Sequence, residues 1–166
     1  MKKSAPTRIP MLVSALIIVL TVAYALIRYS SLPETIPIHF NARGEADGFG
    51  ARGMIFFSPA IALLFWVILT AVSSSRQLVG HLNLPFPVPD EAKERVVDLS
   101  RAMIAWMTAA VTVMICVPGI ALIHTSAALV NVSTAVCLAG MVGAAVYYLI
   151  KIRRVCRDAR PWDTAI

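Results

Sequence analysis

Four stretches of the chain, at about residues 9–27, 54–72, 102–123 and 127–150, contain no Asp, Glu, Lys or Arg. Each has about the twenty residues a helix needs to cross the hydrocarbon core of a bilayer. In lipid every backbone N–H and C=O must find a partner inside the protein, so runs of this length select helices. The expected fold is an all-α integral membrane protein of one domain with four transmembrane helices. The 58% hydrophobic and 14% charged composition agrees, since water-soluble domains carry about a quarter charged residues.

The first run follows Lys2, Lys3 and Arg8 and ends at Arg28. It has the form of a secretory signal, with Ala23-Tyr24-Ala25 resembling a cleavage site. It is longer than the apolar core of such signals, which favours a retained anchor. In the second run, Ser58-Pro59 suits an N-cap followed by a first helical residue. The other reading is a helix that begins at Met54 and kinks at Pro59. The polar stretch from Asp90 to Arg101 has acids at its front and arginines later, which suits a helix dipole. It is expected to continue into the third run as one helix, bent near Pro118-Gly119. In the fourth run, Ala135, Ala139 and Gly143, and likewise Gly140 and Ala144, stand four residues apart. Small residues at that spacing let helices approach closely.

The link His124-Thr125-Ser126 is short enough to force an antiparallel pair of spans, with Asn131 and His124 meeting across the turn. The cytoplasmic-loop candidate, residues 73–101, contains Pro85, Pro87 and Pro89. Prolines at every second position favour a stiff, extended segment.

Lys and Arg set the expected orientation. The N-terminal tail, the 73–101 loop and the 151–166 tail together carry twelve, against three in the 28–53 loop and none in the short link. The positive-inside rule then places both termini in the cytoplasm and residues 28–53 outside. That same bias accounts for much of the net charge of +6, so no nucleic-acid partner is expected. The tail cations from Lys151 to Arg160 also suit anionic lipid, although topology alone accounts for them. Cys116 and Cys137 read as small apolar filler, and Cys156, beside Arg153 and Arg154, has a juxtamembrane position suited to lipidation.

The outside loop is the most specified segment. Ile36, Ile38 and Phe40 alternate with Pro37, His39 and Asn41, a period of two that predicts extended chain with one apolar and one polar face. Asn41-Ala42-Arg43-Gly44 and Asp47-Gly48 read as turns. Gly44, Gly48 and Gly50 permit backbone angles other residues resist. Arg43, Arg52, Glu45 and Asp47 offer local ion pairs. The candidate ligand- or partner-binding residues are His39, Asn41, Gly44, Glu45, Asp47 and Gly48.

The pattern Leu32-Pro33, Ile36-Pro37-Ile38-His39-Phe40-Asn41, Gly44 and Asp47-Gly48, followed directly by an apolar span, resembles the membrane domain of unknown function found in SdpI-like bacterial immunity proteins. The resemblance covers about twenty residues at the level of the motif, and more loosely the four-span layout. It implies a multi-pass protein of the bacterial plasma membrane. For the immunity proteins themselves it implies protection against a secreted toxin, coupled to sequestration of a transcriptional repressor at the membrane. Those larger proteins carry additional spans.

The expected function is non-enzymatic: a recognition or accessory membrane protein whose outside loop binds a ligand or a membrane-protein partner, including a second copy of the chain. No cofactor is expected. A small transporter is the alternative; transport usually demands charged residues within spans, and there are none. A metal-dependent membrane enzyme is the second alternative. Its metal candidates, His39 and Asp47, rest on ligand type alone.

Overall fold

A computed structural model describes residues 7–41, 45–81, 83–123 and 127–159. Helix α1 (Arg8–Tyr29) leads to a β-hairpin of β1 (Thr35–Phe40) and β2 (Ala46–Ala51). A 3-10 turn (Arg52–Phe56) feeds α2 (Phe57–Ser74), and the short α3 (Arg76–Gly80) follows. A 3-10 turn (Asp90–Ala92) opens α4 (Lys93–Ile123), and α5 (Ala127–Asp158) completes the described chain. Four helical segments, Arg8–Tyr29, Arg52–Ser74, Asp90–Ala121 and Asn131–Asp158, are long and apolar enough to cross a membrane, which makes this a multi-pass membrane protein. The His124-Thr125-Ser126 link, and with it the contact expected between His124 and Asn131, lies outside the described residues.

Helix α4 is the axis of the bundle, packing against α1, α2, α3 and α5. What it buries is small. Ala102, Ala105, Ala109, Thr112 and Cys116 lie inward, at spacings alternating between three and four residues. The inward face of α1 repeats that rhythm with Met11, Ser14, Ile18, Thr21 and Ala25. Alternating steps of three and four keep one narrow seam pointed at a neighbouring helix. The large residues point the other way: Leu12, Leu16, Leu20, Leu26, Leu63 and Phe65 are all exposed. Water would favour the opposite arrangement. In lipid, close backbone approach by small residues gives the packing, and large apolar side chains lose nothing by facing outward.

The buried hydroxyls do not spoil this seam. Ser14 donates to the Pro10 carbonyl at 2.7 Å, Thr21 to Ile17 at 2.8 Å, Thr108 to Ile104 at 2.8 Å and Thr112 to Thr108 at 2.9 Å. Each is satisfied on its own helix, so it packs like a small apolar residue. The Trp66 indole N–H donates to the Met11 carbonyl at 3.1 Å and ties α2 to α1.

Two expectations change. Ser58 does not cap α2: the helix begins at Phe57, without a side-chain cap, as a continuation of the 3-10 turn. Pro59 sits in the first turn, where its missing N–H costs nothing. Among the described residues the small stripe of α5 is not a tight seam. A Cβ added at Gly140 or Gly143 meets nothing within 4 Å, Ala135 and Ala139 are exposed, and Ala144 is half-buried. Gly140, Gly143 and Ala144 instead border an open apolar groove with Val13, Trp106 and Ala109. The reason is that α5 meets the bundle through α4, with Tyr148, Ile152 and Cys156 turned inward.

At the far end from the hairpin the polar part of α4 is fastened to its neighbours. Arg101 Nε donates to the Ser73 carbonyl at 2.6 Å, satisfying one of the carbonyls that the end of α2 leaves open. Arg76 reaches Glu94 at 2.5 Å and Asp98 at 2.7 Å, joining α3 to α4.

Candidate functional site

The hairpin is seated on the end of the bundle by an apolar plug. Ile36 from β1 is buried with Ala25, Leu32 and Ile55, and Tyr29 and Phe56 pack around them. The Arg52 N–H donates to the Glu34 carbonyl at 2.9 Å and closes the base of the hairpin. The Arg52 guanidinium lies over the Tyr29 ring, 4.9 Å from its centre, a cation–π contact.

The alternation of β1 is not carried through. Thr35, Ile36 and Pro37 pair regularly with Ala51, Gly50 and Phe49. The register then slips at Ile38, so His39 stands opposite Gly48, and it recovers at Phe40 opposite Ala46. Ile36 is therefore 3% exposed and Ile38 37%, rather than both lying on one covered face. Such irregularities re-aim side chains locally. His39 Nδ1 nonetheless stays 2.5 Å from the Oδ1 of Asp47, the residue it would face in the unslipped register. Gly48 makes the crossing possible, because a Cβ at that position would come within 2.9 Å of the His39 Cβ.

A second polar pair stands at the hairpin tip. Asn41 Nδ2 donates to Glu45 Oε2 at 2.9 Å, while the Glu45 N–H donates to Asn41 Oδ1 at 3.0 Å. The Asn41 N–H donates to the Glu45 carbonyl at 2.9 Å. Asn41 thus holds the ends of the turn together through backbone and side chain at once. Ala42, Arg43 and Gly44, including the turn expected there, lie outside the described residues.

Of the predicted binding residues, His39, Asn41, Glu45, Asp47 and Gly48 are brought together on the hairpin. Of the ion pairs expected in the loop, those of Arg43 lie outside the described residues, and Arg52 makes none among them: Asp47 takes His39, Glu45 takes Asn41, and Arg52 takes Tyr29. The His39 and Asp47 side chains are 70% and 44% exposed. This is a fixed polar surface rather than an enclosed one. Among the described residues no three His, Cys, Asp or Glu side chains gather as metal ligands.

Beneath the hairpin lies a feature the sequence did not announce. A cavity of about 240 Å³ opens between Ile36, Ile38, Met54, Phe57, Ser58 and Gly119. It is apolar apart from the Ser58 hydroxyl, which is buried without a hydrogen-bond partner among the described residues. Gly119 lies directly against Ser58, and a Cβ there would overlap the Ser58 hydroxyl and approach its Cβ to 2.8 Å. Pro118 lies inside the continuous α4, and the use of Gly119 as a point of close contact between α4 and α2 was not legible in the sequence. The available signal was a glycine late in a span opposite a serine early in another, if the spans are antiparallel.

Residues 16–63 match a protein family described as a domain of unknown function, DUF1648. The matched stretch begins inside α1, includes the whole hairpin and ends in the first turns of α2. An uncharacterized protein of Archaeoglobus fulgidus is 39% identical over 67 residues, which is 37% of this chain and 37% of that protein's length. This chain therefore spans little more than a third of its curated relative. No solved structure matches the chain.

Proposed function

We propose that this chain is a non-enzymatic recognition or accessory protein of the plasma membrane, whose hairpin faces away from the cytosol and binds a ligand or a membrane partner. The observation that carries this reading is the pairing of His39 with Asp47 and of Asn41 with Glu45 on an exposed hairpin that Ile36 anchors in the bundle. Polar groups held in place before binding lose little conformational freedom on binding, so a surface of this kind favours a specific partner. Phe49, 62% exposed between Gly48 and Gly50, offers an apolar contact beside them.

The excess of Lys and Arg in the tails and in the 73–101 loop supports the orientation, with both termini in the cytoplasm. The likeness of the 32–48 segment to SdpI-like proteins supports a narrower version, a bacterial toxin-immunity or signalling role. The family match runs through the hairpin and assigns it no activity.

A photo-crosslinking residue at Phe49, expressed in intact cells, tests the reading. The expected result is one discrete adduct with a membrane protein or an extracytoplasmic ligand, lost in the double variant H39A/D47A. An impermeant thiol reagent should modify a cysteine placed at Glu45 in a variant lacking the native cysteines. Protection of that cysteine until the membrane is permeabilised would place the hairpin in the cytosol and overturn the proposal.

A further inference from the structure

At the end of the molecule opposite the hairpin, the proline-rich segment lies along the last turns of α5. Leu84, Phe86 and Val88 pack around the buried cluster of Ala92, Val96, Ile152 and Cys156. The intervening Pro85 and Pro87 fix φ and stiffen the strip. On α5, Ile150, Arg153, Arg154 and Arg157 follow at i, i+3, i+4 and i+7 and share one helical face. A cavity of about 530 Å³ opens between this face and the strip, with Phe86, Pro87 and Ile150 as apolar wall and Arg153, Arg154 and Arg157 as cations. A neighbouring cavity of about 410 Å³ shares Phe86, Ile150 and Arg153 with it and extends to Leu149.

Among the described residues no carboxylate lines either cavity. Arg157 has its neighbour Asp158 at 3.3 Å, and among the described residues no carboxylate pairs with Arg153 or Arg154. Three like charges on one helical face repel each other unless an anion joins them. Guanidinium groups match phosphate oxygens with paired donors. The charges begin where the apolar run of α5 ends, at Ile150, and in a spanning helix such a boundary is where cations meet lipid headgroups.

We propose that this cleft binds an anionic phospholipid, with the headgroup phosphate on Arg153, Arg154 and Arg157 and the start of an acyl chain along Phe86, Leu149 and Ile150. The site rests on insertion of the four helices in a membrane and is independent of what the hairpin binds. It differs from a diffuse basic tail in having a shaped apolar wall and a defined trio of cations. Lys151 provides the internal comparison. It has the same charge at the same end of α5, but it lies over the Tyr147 ring at 5.6 Å and lines neither cavity.

The full chain in a neutral detergent is titrated with phosphatidylglycerol, phosphatidylcholine or inorganic phosphate, and bound lipid is counted by native mass spectrometry. The expected result is a clear preference for phosphatidylglycerol over phosphatidylcholine. R153Q/R154Q should weaken that binding roughly tenfold or more, while K151Q leaves it unchanged. All three arginines are exposed on the helix surface, so the variants should fold, and unchanged circular dichroism checks this. An equal loss in K151Q would reduce the effect to net charge and overturn the site. So would equal binding of the two lipids. Displacement of the lipid by equimolar inorganic phosphate would reassign the cations to a free anion.

Discussion

Two glycines show how differently the same residue type is constrained. Gly48 faces His39 across the hairpin, and Gly119 faces Ser58 across two helices. At Gly48 an added methyl must push His39 away from Asp47, so Gly48→Ala should cost about 1–3 kcal/mol and loosen the hairpin. Limited proteolysis of the purified protein checks this, with faster cleavage near residues 41–46. Gly53→Ala is the control, since nothing lies within 4 Å of a Cβ there, and it should leave cleavage unchanged. Gly119→Ala forces α2 and α4 apart and should lower the melting temperature in detergent by a similar free energy. The double variant S58G/G119A removes the obstructing side chain and should recover most of the loss. Gly140→Ala and Gly143→Ala, with open space around them, should not lower it. A stripe of helical glycines can be read from sequence; which of them is in contact cannot.

Among the four spanning helices, α5 has the smallest share of its apolar stretch buried, although it packs along α4. Its apolar stretch is 11% buried, against 33% for α1. Its C-terminal turns are pinned by Ile152, which is fully buried against Ala92 and Val96 of the α4 approach. Ile152→Ala should therefore destabilise by about 2–5 kcal/mol, and the loss should appear as early release of the α5 end in hydrogen exchange. Ile150 differs from Ile152 by two positions and is 49% exposed, so Ile150→Ala should cost much less. The hairpin shows the reverse relation between sequence and element. Alternation in residues 36–41 indicates an extended segment, and the second strand, Ala46–Ala51, gives little such signal because two of its six residues are glycine. It is a strand because β1 supplies the partner and Gly48 and Gly50 leave room for it.

Across the whole molecule the packing is inside-out by the standards of water, with small residues and self-bonded hydroxyls between helices and leucines on the outside. A protein built this way should stay with the membrane pellet through washes in high salt and in alkaline carbonate. Release by salt would mean that the basic tail, and not the helices, holds it to lipid. The same pattern limits what can be read in advance. Span positions were legible because apolarity over about twenty residues is a property summed along the chain. The long α4, running from Lys93 through the apolar stretch, was also legible from its acidic start. The seams on α1 and α4 were not, since within a uniformly apolar run hydropathy carries no facing information. The signal lay in size, in the three-and-four rhythm of Ala, Ser, Thr and Cys among larger neighbours. Of the candidate site, the residue types and their extended setting were visible, while the partner each side chain takes was not.

The order of residues by itself determined that lipid surrounds four segments, which polar segment lies between the first two, and that this segment offers His39, Asn41, Glu45 and Asp47. Tertiary structure alone decided that His39 meets Asp47, that Gly119 meets Ser58, and that three arginines of α5 meet a proline-stiffened wall more than sixty positions earlier in the chain. Transfer into lipid depends on the sum of a segment's residues, which is local. Contact depends on which faces the packing brings together, and that is settled only when every helix has found its neighbour.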